Sequence, residues 1–183
     1  MAILVLALLV TAALLAGCSS RAGQYARETR SSYITARAVL AEVKEFPSAM
    51  EELLRSQDPE ALESRARVLI EESRRLISEA ASAFRTVQEK IDLLRGEGGE
   101  RFAPYADSMR SLVDLNLEVL ALYGEFVGLS GAVLEGFPYA DNPSNLMPTL
   151  RRMDELMARV QDLANRIASG EEEAESLFRA LEE

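Results

Sequence analysis

The side chain with the clearest chemical potential is the thiol of Cys18, the one cysteine among 183 residues. It closes the string Leu-Ala-Gly-Cys at positions 15–18, and residues 2–16 ahead of it are uncharged and, except for Thr11, apolar. Polar residues follow at once, at positions 19–21. Small residues leave the thiol open to alkylation, and a lone cysteine has no disulfide partner within the chain. We therefore expect Cys18 to be modified covalently.

This arrangement resembles the lipobox of bacterial lipoproteins, and the resemblance covers residues 1–18. The apolar run is shorter than the roughly 20 residues that a membrane-spanning helix needs, and it matches the apolar core of a secretory signal. The resemblance implies that residues 1–17 are a cleaved signal peptide and that residues 18–183 form the mature domain. An uncleaved anchor, or a buried apolar helix with a chance cysteine, is the alternative.

The resemblance also implies acylation of Cys18 by a diacylglyceryl group and by fatty acids such as palmitate. Two or more acyl chains attach a protein stably to a membrane, whereas a single chain binds reversibly. Because Ser19 and not Asp follows the cysteine, the resemblance implies the periplasmic side of the outer membrane in a Gram-negative cell. In a cell with one membrane, it implies the outer face of the plasma membrane.

Other side chains offer little catalytic chemistry. The chain has no histidine, which is the commonest general base and metal ligand near neutral pH. Asp114 and Glu118 share a helical face, but that spacing is equally typical of a solvated face. The acidic run at positions 171–173 lacks a loop to organise calcium, and Met153 and Met157 suit core filling better than haem ligation. We expect no metal, no cofactor and no enzymatic activity.

The charge of the chain argues against nucleic-acid binding. The formal net charge is −10, and nucleic-acid binding needs a basic footprint. Residues 18–41 depart from the acidic average because they contain four arginines and one glutamate. A basic stem beside the anchor would suit anionic lipid headgroups, and an ordinary solvated helix face is the alternative.

Helical periodicity runs through the whole mature chain. It predicts an all-α fold with four long helices and short connections, which favours an antiparallel, up-down-up-down four-helix bundle about 50 Å long. The predicted helices start soon after Arg21 with a break at Pro47, run from Asp58 to Gly96, run from Pro104 to Gly136, and follow Asn145 with an interruption at Gly170. The predicted inward positions of the first helix are Tyr25, Thr29, Ser32, Ala36, Val39, Val43, Phe46, Met50 and Leu53.

Three glycines, Gly124, Gly128 and Gly131, lie in the second half of the predicted third helix. Each glycine costs a helix roughly 1 kcal/mol relative to alanine, so we expect a compensating close contact with another helix. A ligand slot, or a bend of the helix, is the alternative explanation.

Polar residues at predicted inward positions form a second candidate group. They are Thr29, Ser32, Ser73, Asn116 and Ser130. We expect a buried hydrogen-bonded layer that fixes the helix register, as polar core residues can do. The alternative is an elongated cavity for an apolar ligand with a polar head.

The loop after the third helix carries Phe137, Tyr139 and Asn142 between two prolines. Exposed aromatic residues on a stiff loop suit a partner-binding tip. The alternative is that both aromatic rings fold back onto the end of the bundle.

These observations together predict a lipid-anchored, extracytoplasmic bundle that acts as a protein-interaction or scaffold module of the cell envelope. Its expected partners are the membrane, through Cys18, and an envelope protein. Self-association through a coiled-coil-like surface stays open. The alternative function is a sensor or carrier domain that binds a small molecule or lipid in the bundle core.

Overall fold

A computed structural model describes the backbone of residues 2–55, 59–136 and 146–183, and the side chains of residues 21–55, 62–135 and 146–183. Helices make up nearly all of these segments, and no strand occurs in them. The helices are α1 (Ala2–Lys44), α2 (Phe46–Leu54), α3 (Pro59–Gly136) and α4 (Met147–Glu182). The predicted all-α class is therefore confirmed.

The first predicted helix is divided into α1 and α2 at Glu45, as expected from Pro47. Proline removes a backbone N–H, and it is tolerated in the first turn of a helix, where that group has no intrahelical partner. Pro47 occupies the first turn of α2. The buried face nevertheless continues across the break, from Val43 to Phe46 and Met50.

The predicted second and third helices belong to one 78-residue element, α3, which is interrupted at Gly99. The sequence predicted that one helix ends at Gly96 and that the next begins near Pro104. The break is shorter than predicted, because the helix continues through Gly96 and resumes directly after Gly99. Gly99 alone leaves helical geometry, with φ 57° and ψ −160°. This backbone conformation is essentially restricted to glycine. Pro104 lies inside the helix that follows the break. It is the fifth residue after Gly99, so the backbone bond that an N–H at this position would donate to the Glu100 carbonyl is missing.

The two arms of α3, residues 59–98 and 100–136, fold back on each other at Gly99. Three side-chain pairs join them: Arg95 with Asp107, Asp92 with Arg110, and Gln88 with Asp114. Residue numbers fall in one arm as they rise in the other, so the arms run antiparallel.

Side-chain pairs also join α1 and α4 to α3 and to each other, and their residue numbers show the same antiparallel order. Glu28 and Tyr33 of α1 meet Lys90 and Phe84 of the first arm. Glu118 and Glu125 of the second arm meet Arg159 and Arg152 of α4. Arg30 and Arg37 of α1 meet Glu175 and Glu171 of α4. In each of these pairs of segments the numbering runs in opposite directions.

The core is apolar and continuous along the helices. Its aromatic contacts are Tyr33 with Phe84, Phe46 with Phe126, and Tyr105 with Phe178, at centroid distances of 6.1, 6.1 and 5.5 Å. By length and composition, one helix among the described residues, Leu62–Glu135, could cross a membrane. Core helices of soluble proteins pass the same test, and 39% of the apolar window of this helix is buried in the structure.

The predicted interruption of the last helix at Gly170 is wrong, because α4 is continuous from Met147 to Glu182. Ser169 does not cap a new segment; its hydroxyl donates to the backbone carbonyl of Asn165 within the helix. Gly170 serves packing instead. A Cβ at this position would lie 2.8 Å from Cδ2 of Leu112. Asp58 and Asn145, at the predicted starts of the second and fourth helices, lie outside the described residues.

Candidate functional site: the groove between α1 and α4

A groove of about 360 Å³ lies between α1 and α4, with the second arm of α3 as its floor. Its volume falls at the lower end of the range for small-molecule sites, about 300–1,000 Å³. The lining combines two tyrosines, two arginines and two glutamates with apolar side chains. The residues are Arg30, Tyr33, Ile34, Arg37, Tyr105, Met109, Leu112, Glu171, Ala174, Glu175 and Phe178.

A hydrogen-bonded cluster on Asn116 closes one end of the groove. The Asn116 amide nitrogen donates to the Tyr33 hydroxyl (3.1 Å) and to the Leu112 carbonyl (2.7 Å). Arg37 donates to the Asn116 amide oxygen (3.3 Å). The Tyr33 hydroxyl donates to Glu171 (2.8 Å), whose carboxylate also pairs with Arg37 (2.9 Å). The cluster therefore connects α1, α3 and α4 through one fully buried asparagine.

Arg30 covers the other part of the groove. Its guanidinium pairs with the Glu175 carboxylate through two nitrogens, at 3.1 and 3.2 Å. It also lies 5.0 Å from the centroid of the Phe178 ring, which in turn packs on Tyr105. A cation over an aromatic face is favourable. Arg30 thus lies between the solvent and the aromatic pair beneath it.

The hydroxyl of Tyr105 is buried and has no hydrogen-bond partner among the described residues. The residue is 2% exposed. Burial raises the pKa of Tyr105 above its ordinary value of 10.0, which keeps the phenol protonated near neutral pH. Buried hydroxyl groups are normally paired, because an unpaired one loses its bonds to water without replacement. Tyr105 is therefore a hydrogen-bond donor in need of an acceptor.

The charges around the groove balance one another. Arg30 and Arg37 face Glu175 and Glu171, and each glutamate is within salt-bridge distance of one of these arginines. Burial and the bond to Glu171 raise the pKa of Tyr33. The groove thus presents neutral phenols, paired charges and an apolar floor, which suits binding. No cluster of three His, Cys, Asp or Glu residues able to hold a metal occurs in the part of the chain described.

Sequence reasoning missed the groove, although it found part of the polar layer. Thr29, Ser73, Asn116 and Ser130 are buried as predicted, whereas Ser32 is half-buried. Only Asn116 connects different helices. Ser130 bonds the carbonyl of Phe126 in its own helix (2.9 Å). The tyrosines at positions 33 and 105 carried a usable signal, because the hydroxyl of a buried tyrosine usually has a hydrogen-bond partner.

The predicted close contact at the three glycines of α3 is wrong at Gly124 and Gly128. Both are exposed, and an added Cβ would meet no atom of the described residues within 4 Å. At Gly131 the added Cβ would lie 3.8 Å from Ile70, an ordinary contact. Gly131 lines a shallow, charged depression of about 310 Å³, together with Ile70 and Glu135. A closer approach between helices occurs at Gly170 of α4, where an added Cβ would lie 2.8 Å from Leu112 of α3.

The side chains of the other predicted site residues lie outside the described part of the chain. Cys18 lies within the backbone of α1, and its side chain lies outside the described residues, as do Phe137, Tyr139 and Asn142. The first core residue, Ala22, follows Cys18 by four positions and is buried. The bundle therefore begins almost at the predicted anchor.

Large apolar side chains are exposed where α2 ends and α4 begins. Leu54, Met147 and Leu150 are each more than two-fifths exposed. The pairs Arg30–Glu175 and Arg37–Glu171 fix opposite directions for α1 and α4. α2 continues the course of α1. If α1 and α2 run antiparallel to α4 along their whole length, the C-terminal end of α2 lies beside the N-terminal end of α4. These three residues thus belong to the end of the protein far from Ala22.

Comparisons of the chain with protein-family models, with curated proteins and with solved structures found no match.

Proposed function

We propose that the protein is a lipid-anchored, extracytoplasmic bundle that acts as a protein-interaction or scaffold module of the cell envelope. The observation that carries the proposal is the short distance between the lipobox cysteine and the bundle. Ala22 follows Cys18 by four helical positions, or about 6 Å of rise. An acylated Cys18 would hold the bundle against the membrane with almost no tether.

The finer topology in this proposal is an up-down-up-down four-helix bundle, with α1 and α2 as the first helix and the arms of α3 as the second and third. Antiparallel side-chain pairs between neighbouring helices support it. The diagonal helices support it too. Arg37 meets Asn116, and Phe46 meets Phe126, so the numbers rise together along α1–α2 and the second arm of α3.

In this topology the anchored end includes Ala22, Gly99 and the C-terminal turn of α4. Arg101 donates to the Leu181 carbonyl (3.0 Å), which joins two of these segments. The opposite end lies about 50 Å away, and it carries the exposed side chains of Leu54, Met147 and Leu150. Residues 137–145, with Phe137 and Tyr139, connect the two helices that meet there. We propose this end as the contact surface for an envelope protein.

Site-specific photo-cross-linking in intact cells tests the proposal. A photoreactive amino acid replaces Leu150 at the far end, and the matched control places it at Leu93. Leu93 is also exposed but lies near Gly99. We expect one discrete adduct from position 150 and none from position 93. That adduct should disappear when Cys18→Ala releases the protein from the membrane.

Equal adducts from both positions would contradict a tip-specific contact. An adduct from position 150 that survives Cys18→Ala would contradict the role of the anchor in presenting the tip.

A further inference from the structure

The groove between α1 and α4 contains a donor that no described residue satisfies. The Tyr105 hydroxyl is buried and unpaired among the described residues, and its ring lines the groove. An unpaired buried hydroxyl destabilises a fold unless another molecule supplies the missing bond. The scaffold function does not use this group.

The apolar part of the groove defines the rest of the ligand. Met109 and Leu112 of α3 form its floor, and Ala174 lines the α4 wall; all three are buried. Ile34 lies on its rim and is 57% exposed, although it is a large apolar side chain. A hydrocarbon body placed in the groove would cover Ile34 and remove its surface from water, which is favourable.

The charges of the groove select against an ionised ligand. The Arg30 and Arg37 guanidinium groups are already paired with Glu175 and Glu171. A carboxylate or phosphate that took an arginine would leave a glutamate without its partner in a partly buried site, and that is unfavourable. A neutral acceptor needs no such exchange.

We propose that this groove binds an uncharged amphiphile, with a carbonyl oxygen that accepts a hydrogen bond from Tyr105 and an apolar chain along the floor of α3. Arg30, which is paired with Glu175, lies over the Phe178 ring that packs on Tyr105, so the head group reaches Tyr105 when this ion pair shifts. The site goes beyond the scaffold function and does not depend on it.

Photoaffinity labelling of the full-length protein in lipid nanodiscs tests the site. Three probes share a terminal diazirine on a ten-carbon chain: decan-2-one, decanoate and decane. Tryptic digestion releases residues 167–179 as one peptide, which contains Glu171, Ala174, Glu175 and Phe178 of the groove. We expect saturable labelling of this peptide by the ketone at lower concentration than by either other probe.

Two variants separate the head-group contact from general hydrophobic labelling. Tyr105→Phe removes only the unpaired hydroxyl, and it should raise the half-saturation concentration of the ketone by about three- to tenfold, the effect of one neutral hydrogen bond. It should leave decane labelling unchanged and should not lower the melting temperature. Tyr123→Phe is the matched control, because Tyr123 is also buried but lies outside the groove; it should leave ketone labelling unchanged.

A third variant tests the apolar rim. Ile34→Gln should weaken labelling by the ketone and by decane alike, whereas Val68→Gln, at a site 66% exposed outside the groove, should weaken neither. The proposal is overturned if ketone and decane label the peptide equally. It is also overturned if Tyr105→Phe leaves ketone labelling unaltered, or if labelling of the peptide does not saturate.

Discussion

Asn116 of α3 donates a hydrogen bond to the Tyr33 hydroxyl of α1 over 3.1 Å, between two residues that are 83 positions apart in the chain. The same amide accepts from Arg37, and Tyr33 in turn donates to Glu171 of α4. One asparagine thus fixes the relative positions of three helices. A polar residue buried in this way specifies register as well as contributing stability.

Asn116→Leu should lower the free energy of unfolding by about 1–3 kcal/mol, because Tyr33 and Arg37 both lose a partner inside the protein. Urea denaturation measures the change. The control is Asn165→Leu, on the exposed face of α4, which should change stability by less than about 0.5 kcal/mol. Equal effects of the two substitutions would show that the Asn116 cluster adds nothing to stability.

Gly99→Ala should destabilise the protein by about 1–3 kcal/mol, because its φ of 57° and ψ of −160° are closed to a residue with a Cβ. Gly96 provides an internal comparison three residues away. It is helical, and a Cβ there meets no described atom within 4 Å. Gly96→Ala should therefore raise stability, by up to about 1 kcal/mol. Thermal unfolding of both variants decides the matter, and a shift of the same sign in both would contradict the hairpin at Gly99.

Gly128→Ala should raise the free energy of unfolding by about 0.5–1 kcal/mol, because alanine favours helix and the site is open. Gly170→Ala brings the same helical advantage but places a Cβ 2.8 Å from the buried Leu112 side chain. Leu112 must move, so the advantage should be offset, leaving a change at or below zero. If chemical denaturation finds equal gains at both positions, α4 and α3 do not approach as closely as described.

Alkaline pH should destabilise the protein through its buried phenols. Burial raises the pKa of Tyr33, Tyr105 and Tyr123 above the ordinary value of 10.0. Above that pH the unfolded chain loses these protons while the folded protein keeps them. Their contribution is thus complete below pH 10.0 and is lost as the pH rises through the folded pKa values.

Urea midpoints measured on both sides of pH 10 check this expectation. The midpoint should fall as the pH rises, and Tyr105→Phe should make the fall shallower. An unchanged fall in that variant would mean that Tyr105 is accessible to solvent in the folded protein.

Helical periodicity predicted most of the buried positions of the first helix but missed two residues at the middle of its buried face. Thr29, Ala36 and Val43 are buried as expected, yet Tyr33 and Leu40 are buried where no inward position was predicted. The predicted inward positions were the neighbouring Ser32 and Val39. Tyr33 is tolerated inside because Asn116 and Glu171 satisfy its hydroxyl, and those partners come from distant helices that a local pattern does not identify.

The groove was beyond prediction for a related reason. Its walls are three segments of the chain, residues 30–37, 105–112 and 171–178, and its volume depends on the spacing of α1 and α4. Pro47 and Gly99, by contrast, change the conformation of the backbone at their own positions. The sequence therefore predicted a break near each of them. The cost of a glycine in a helix did not lead to a contact at Gly124 or Gly128. Both are exposed, and a Cβ at either would meet no described atom within 4 Å.

The central claim is that acylation of Cys18 holds the bundle at a membrane surface, and the intact mass of the protein purified from membranes tests it most directly. We expect the mass of residues 18–183 increased by a diacylglyceryl group, with or without a further acyl chain, and Cys18→Ala should abolish that increase. Recovery of residues 1–183 with an unmodified thiol would contradict the claim.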